Sequence, residues 1–306
     1  MSADTSLDDL RDEIDNIDNQ IHDLIMARTE VVKRVREVKR GQAVKIRPAR
    51  EARILYRLIE RHKGPFPKKE LVRIWRELIV ATLSFEGPFS VAVYMPEAET
   101  SSGPEGDRRS GRWSMARDQY GSFTPMTGHV SAHRVIEAVY SQEATVGILP
   151  VPQRNEDDPW WPHLTSPGEN TPKIIAKLPF AGDTGGRGAA MEALVICTAT
   201  QEPTGHDRTY LAIEIEGDLS LGRLSDAMTA ADIPPLFSSA QQRSSQPGSR
   251  LYLAEVDGFV LENDRRLQQL GDILKDSNPH IRSIGSYGIP LTAQDLATEG
   301  SGRKKT

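Results

Sequence analysis

The sequence predicts a multidomain chain. An all-α domain of three helices covers residues 1–87, an α/β region covers 88–200, and an α+β unit of βαββαβ order covers 207–292, ahead of a disordered tail at 293–306. Three observations predict this. Apolar residues recur at alternating steps of three and four through the first forty positions. Gly87-Pro88 ends the helical pattern and the strand-like run PFSVAVY follows it. Beyond residue 206, strand-type and helix-type runs alternate over a short span.

Ser6 is placed to cap the first helix, and Asp8 and Asp9 sit where a helix dipole favours acids. Leu7, Leu10, Ile14, Ile17, Ile21, Leu24, Val31, Val35 and Val38 then form the a/d seam of a coiled coil. At ~1.5 Å per residue such a helix is about 50 Å long. Two short followers cannot cover a stripe of that length, so the helix is expected to pair with a second copy of itself. Arg28 stands where the seam wants an apolar residue. An unpaired buried charge costs several kcal/mol, so Arg28 needs either a core acid such as Glu51 or Glu86 or a bound anionic ligand.

The second helix is predicted from Pro48 to His62, with Ile54, Leu55, Leu58 and Ile59 inward and Gly64-Pro65-Phe66-Pro67 stopping it. The third is predicted from Lys68 to Glu86, with Leu71, Ile74, Trp75, Leu78, Ile79 and Leu83 inward. Trp75, Ile79, Thr82 and Glu86 follow steps of four, three and four and share one face. Thr82 and Glu86 therefore interrupt an apolar stripe, as Arg28 does. The plainer reading of Glu86 is a solvated acid at a helix end.

The segment Pro96–Trp113, rich in Glu, Ser, Gly and Arg, cannot bury enough apolar surface to order itself and reads as a flexible insertion. In the last unit, RTYLAIEIEGDLSLGRLSDAM reads as strand, loop and helix. RLYLAEVDGFV, a helix from Asp264 to Lys275, and RSIGSYGIPL complete the order. Alternation at Tyr210, Ala212, Glu214 and at Leu251, Leu253, Glu255 predicts half-buried strands.

Bulk properties exclude several classes. A net charge of -5 argues against wholesale nucleic-acid binding, which needs a basic footprint. The single cysteine, Cys197, precludes an intramolecular disulfide, fits a reducing cytoplasm, and lies in an apolar run where it is expected to be inert. The acidic N-terminus lacks the apolar stretch of a signal peptide, and no run of about 18 apolar residues spans a membrane. The seven histidines show no metal spacing, and no cofactor motif is present. Trp160-Trp161 reads as a packed loop rather than a ligand stack. The basic run Lys33, Arg34, Arg36, Lys39, Arg40 is a solvated helix face, Lys39 excepted.

The segment LDDLRDEIDNIDNQIHDLIMAR, the lysine of VREVKR, KIRPAREARIL and the WRELIVATLSFEG helix together resemble the all-helical chorismate mutase domain of the bifunctional mutase–prephenate dehydratase family. The resemblance covers residues 7–87. It implies that Arg11 and Arg28 grip the two carboxylates of chorismate. It gives Lys39 a carboxylate and the ether oxygen, and gives Glu51, beside Arg50, the ring hydroxyl. Thr82 stands where the family usually has serine. Glu86 stands where many members have glutamine and some glutamate. Arg28 and Lys39 are 11 residues apart, about 16 Å of helix, and can bend toward one ligand. Arg11 and Arg28 are 17 residues apart, about 25 Å, which no small substrate bridges. Arg11 must serve a different site, and the resemblance implies that it reaches the partner's site across an intertwined homodimer. The rearrangement to prephenate is concerted and needs no nucleophile, metal or cofactor. Arg47 departs from the acid found in the dehydratase-linked relatives.

Weaker resemblances follow. GHVSAHRVIEAVYSQEATVGILPVP (128–152) and EALVIC (192–197) resemble parts of the dehydratase domain. Its catalytic Thr-Arg-Phe triplet appears as Met191-Glu192-Ala193, and the Asn-Ser after its proline motif as Gln153-Arg154. Residues 88–200 are also too few for its two lobes, so dehydratase chemistry is expected to be lost. Residues 207–292 resemble an ACT regulatory domain, which implies an amino-acid effector. The Glu-Ser-Arg-Pro motif for binding it is absent, the region reading Ser239-Ala240-Gln241-Gln242-Arg243. Two alternatives compete with a cytoplasmic mutase: a working mutase–dehydratase, and a coiled-coil or nucleic-acid-binding module with an ACT-type ligand sensor. The second gives no reason for Arg28 in the seam.

Overall fold

The computed structural model describes residues 6–38, 46–83, 87–96, 111–168, 170–182, 191–242 and 248–297. Three helices lead: α1 (Leu7–Val38), α2 (Pro48–Arg61) and α3 (Lys68–Leu83). Ser6 and Asp9 close a reciprocal cap on α1. The Asp9 amide donates to Ser6 Oγ at 3.1 Å, and the Ser6 amide donates to Asp9 Oδ2 at 3.0 Å. The α1 stripe is as long as predicted, yet no residue of α1 is buried, and Leu24 is 70% exposed.

The helices α2 and α3 do not form a domain apart. Ala52, Leu55, Ile59 and Val72 close a small core with Phe180 and Leu291 of the sheet region. Tyr56 Oη donates to the Ile289 carbonyl at 2.6 Å, and Lys68 Nζ to that of Asp295 at 3.0 Å. Ile74, expected inward, is 45% exposed, because this face of α3 points away from the sheet. The tail expected from 293 is ordered at its start. Asp295 accepts the Thr292 amide at 2.7 Å, and Leu296 packs on the α2–α3 core. Residues 298–306 lie outside the described residues.

One nine-stranded sheet runs through the rest of the chain, in the order β2-β1-β3-β5-β4-β9-β6-β8-β7. Its first half comprises β1 (Val91–Tyr94), α4 (Arg112–Tyr120), β2 (Met126–His129), α5 (Ala132–Tyr140), β3 (Val146–Pro150), β4 (Lys173–Leu178) and β5 (Ala193–Cys197). Strand β1 is parallel to β2 and β3, whereas β5 runs antiparallel between β3 and β4. The insertion expected over 96–113 is shorter at its C-terminal end, since Arg112 opens α4 and is buried. Its residues 97–110 lie outside the described residues. Trp160 and Trp161 are buried in the main core, the latter opening a short 3-10 helix (Trp161–Thr165).

The second half comprises β6 (Asp207–Glu216), α6 (Leu221–Ala230), β7 (Pro235–Gln242), β8 (Ser249–Asp257), α7 (Arg265–Ile273) and β9 (His280–Gly288), in the predicted βαββαβ order. Strands β6 and β8 are buried on both faces rather than half-buried. Leu211, Ile213 and Ile215 pack under α6 and α7. Tyr210, Ala212, Leu251 and Leu253 pack under Trp160, Trp161 and Leu164 of the first half. Two polar groups are thereby enclosed: Tyr287 Oη donates to the buried Glu255 carboxylate, which Arg208 approaches at 3.9 Å.

The halves meet where β4 lies parallel to β9 at a single register pair, Ile174↔Gly285. Gly285 has φ +141°, and a Cβ there would fall 2.2 Å from the Ile174 amide nitrogen, so only glycine fits. Gln201 Nε2 spans the seam, donating to the carbonyls of Ile174 at 2.6 Å and Ser286 at 3.0 Å.

Candidate active site

Where α1 meets α3, part of the predicted set comes together. Arg28 is half-buried, and its Nη1 donates to the Leu78 carbonyl of α3 at 3.2 Å. Burial lowers its pKa, and the nearby positive charge of Arg50 lowers it further. Thr82 shares the carbonyl that Arg28 uses, donating to Leu78 at 3.3 Å and to Ile79 at 2.8 Å. Among the described residues, neither Arg28 nor Arg50 has an ion-pair partner. The core acid Glu51 is therefore not Arg28's counter-ion here. Two guanidiniums that repel each other, one of them half-buried, are chemically suited to an anion with more than one negative charge.

Glu51 acts on a further cation. Half-buried at the start of α2, its amide bonded to the Arg47 carbonyl at 3.0 Å, it acts electrostatically on Arg76 of α3. The Arg76 guanidinium lies over the Phe180 ring, 5.2 Å from its centroid. Arg76 was not among the expected residues, although a signal existed. Val72, Arg76, Ile79 and Leu83 follow steps of four, three and four, with the other three buried. That is the same interruption of an apolar stripe that singled out Arg28.

Arg11 is not brought to this group. It is exposed on the first turns of α1 and pairs with Asp8 at 2.9 Å, an exposed ion pair worth little. Lys39 and Glu86 lie outside the described residues. The residues aligned with the missing triplet have structural contacts. Arg112 approaches Met191 Sδ at 4.0 Å, Glu192 pairs with Lys177 at 2.9 Å, and Ala193 is fully buried in β5. Cys197 is buried, and burial pushes its thiol pKa up, as befits an inert cysteine. Among the described residues no cluster of His, Cys, Asp or Glu is arranged to hold a metal ion, and no helix is long and apolar enough to cross a membrane.

The arrangement is a cluster of basic side chains on helices that rest against a mixed sheet. Residues 10–87, the N-terminal helical region, match the family model described as chorismate mutase type II. The bifunctional chorismate mutase/prephenate dehydratase of Stutzerimonas stutzeri is 30% identical over 162 residues, covering 51% of this chain and 41% of that protein. That of Aquifex aeolicus (strain VF5) is 31% identical over 150 residues, covering 47% and 38%. The matched stretch thus spans about two fifths of these relatives' length. Among solved structures, the prephenate dehydratase from Streptococcus mutans aligns with a TM-score of 0.43 at 13% identity, covering 66% of this chain and 98% of that one.

Proposed function

We propose that this protein is a chorismate mutase acting as a homodimer, rearranging chorismate to prephenate. The observation that carries the reading is the pair of guanidiniums, Arg28 and Arg50, that have no ion-pair partner among the described residues, set against the half-buried Thr82. A dicarboxylate neutralises such a pair, and bidentate arginines hold it in one orientation. The reaction breaks a C–O bond and forms a C–C bond within one molecule. The protein's tasks are to select the compact conformer and to stabilise negative charge growing on the ether oxygen. Arg28 and Arg50 serve the first task, Glu51 accepts the ring hydroxyl, and Lys39 and Glu86 serve the ether oxygen. Arg11 comes from the second copy, whose α1 covers the apolar stripe that this chain leaves exposed.

Glu86 is a hydrogen-bond donor only when protonated. Its donating form is present below its pKa and lost above it, so activity falls as pH rises through that pKa. Replacing it with glutamine removes the dependence. A flat profile between about pH 5 and 9 for the unmodified protein, with Glu86→Gln indistinguishable, would sink this role. The deciding experiment for the whole reading is to incubate the purified protein with chorismate and quantify prephenate and phenylpyruvate separately. Prephenate alone supports a mutase with a non-catalytic sheet region. Phenylpyruvate supports the bifunctional reading, which the two relatives favour. Turnover of neither removes the enzyme reading.

The βαββαβ unit supports an ACT-like regulatory role, its four strands lying in the order β9-β6-β8-β7 with both helices on one face. An amino-acid effector there would change the rate of prephenate formation when phenylalanine is titrated in; an unchanged rate removes that role.

A further inference from the structure

Helix α2 carries Arg50 in its first turn and Tyr56 six residues further on. The two are about 9 Å apart along the axis and about a third of a turn apart around it, so they serve different faces. Tyr56 faces the sheet. Its Oη donates to the carbonyl of Ile289, just past β9, at 2.6 Å. Its ring centroid lies 5.6 Å from that of Phe180, beyond the β4 exit, and the ring meets His206 edge-on at 5.5 Å. One side chain thus touches three segments of the sheet region: the loop before β6, the end of β9 and the residues after β4. Burial raises the phenol's pKa and the Asp207 charge adds to the rise, so the hydroxyl keeps its proton and donates. The fit is close. A Cβ on Gly288, the last residue of β9, would fall 3.0 Å from Tyr56 Oη, 3.1 Å from Thr204 Cγ2 and 3.2 Å from Ala52 Cβ. Arg53 adds an exposed ion pair with Glu202 at 3.3 Å, which contributes little by itself.

We propose that Tyr56 is a positioning residue for the rearrangement: bonded to the Ile289 carbonyl, it fixes the height and rotation of α2 on the end of β9, and so the place of Arg50 in the helical site. This rests on the mutase reading above and deepens it, because it makes β9 of the βαββαβ unit part of what aligns that site. A helix of 14 residues moves as one body, so contacts at one turn set the position of the others. Ala52, Leu55 and Ile59 hold α2 on the sheet through apolar contacts, which are non-directional and set its register less sharply than a hydrogen bond does. An O–H···O distance of 2.6 Å lies at the short end of the usual range and tolerates little displacement. Reactive alignment is sensitive on this scale, a misplacement of about 1 Å costing about 100-fold in rate. Movement of β9 is passed through Tyr56 to Arg50.

The test is a double-mutant cycle of Tyr56→Phe and Arg50→Ala in the full chain, with Gly288→Ala beside it, reading kcat and KM for chorismate and a thermal melt for folding. Tyr56→Phe keeps the ring contacts and loses only the hydroxyl. It is expected to lower kcat/KM about 10-fold. In the Arg50→Ala background the same change is expected to add less than about 2-fold, since the group it places is gone. A merely structural role would lower both backgrounds by the same factor. Gly288→Ala presses on Tyr56 Oη and is expected to lower kcat/KM as well, by a smaller factor when Tyr56→Phe has already removed that oxygen. Losses that multiply in the cycle, or full activity of a folded Tyr56→Phe protein, overturn the inference while leaving the mutase reading standing. So does full activity of the Arg50→Ala variant. An unmodified protein that does not turn over chorismate ends both. If Tyr56→Phe fails to fold, Gly288→Ala carries the cycle with Arg50→Ala, and multiplying losses there overturn the inference equally.

Discussion

Helix α1 and strand β6 are both built on regular apolar repeats, and they end in opposite states. The helix runs for 32 residues and buries none of them, whereas the 10-residue strand leaves only Glu216 exposed. The strand lies third from one edge of a nine-stranded sheet, with helices on one face and the Trp160-Trp161 loop on the other. Among the described residues the helix has no comparable partner. Periodicity states which residues want burial, and only the surroundings decide whether one chain can supply it.

The comparison is broken most strongly at the anion site. Arg28→Leu places an apolar residue back into the α1 seam. It should therefore strengthen a coiled coil while lowering kcat/KM about 1,000-fold, the scale of removing a charge-stabilising donor. A thermal melt beside an activity assay reads both; unchanged activity in the Arg28→Leu variant would mean that the seam arginine serves no substrate. Arg11→Ala separates the two regions differently. Its exposed pair with Asp8 predicts a stability loss under about 1 kcal/mol, with activity falling by orders of magnitude. Mixing Arg11→Ala with Arg28→Ala should then restore up to about a quarter of wild-type activity, since half of the dimers are mixed and each mixed dimer has one intact site. No recovery on mixing would place Arg11 outside the partner's site.

The sheet half should respond in stability. Gly285→Ala forces a Cβ into the Ile174 backbone at the β4–β9 register pair where the halves meet. It is expected to cost about 3 kcal/mol, read as a lower urea midpoint. Charging the α1 stripe with Ile17→Glu should leave that urea transition in place and shift the protein to monomer by light scattering, with activity lost. The smallest effect is Tyr287→Phe. It removes the hydroxyl bonded to the buried Glu255 and should cost about 1–3 kcal/mol, with mutase activity little changed.

The placement of Arg28 and Thr82 was legible because polar groups there interrupt a strict repeat. Arg28 and Thr82 stood out against apolar neighbours on the same face, and the structure joins them through the Leu78 carbonyl. Arg76 obeys the same rule on the neighbouring face of α3, but its significance depends on Phe180, about a hundred positions later in the chain. Ile74 shows the converse. Its spacing points inward, yet the sheet takes up a different face of α3 and leaves it 45% exposed.

By itself the sequence determined the three N-terminal helices, the βαββαβ order of the last unit, the cap at Ser6 and the odd charges in apolar stripes. Each of these is encoded by neighbours within a few residues. Tertiary structure alone decided that the two later regions share one sheet through Ile174 and Gly285, that β6 is covered on both faces, and that Phe180 comes to lie beneath Arg76. Those outcomes depend on contacts between residues tens to hundreds of positions apart. Local propensity carries no information about such pairs until the chain has folded and the competing partners have been brought within reach.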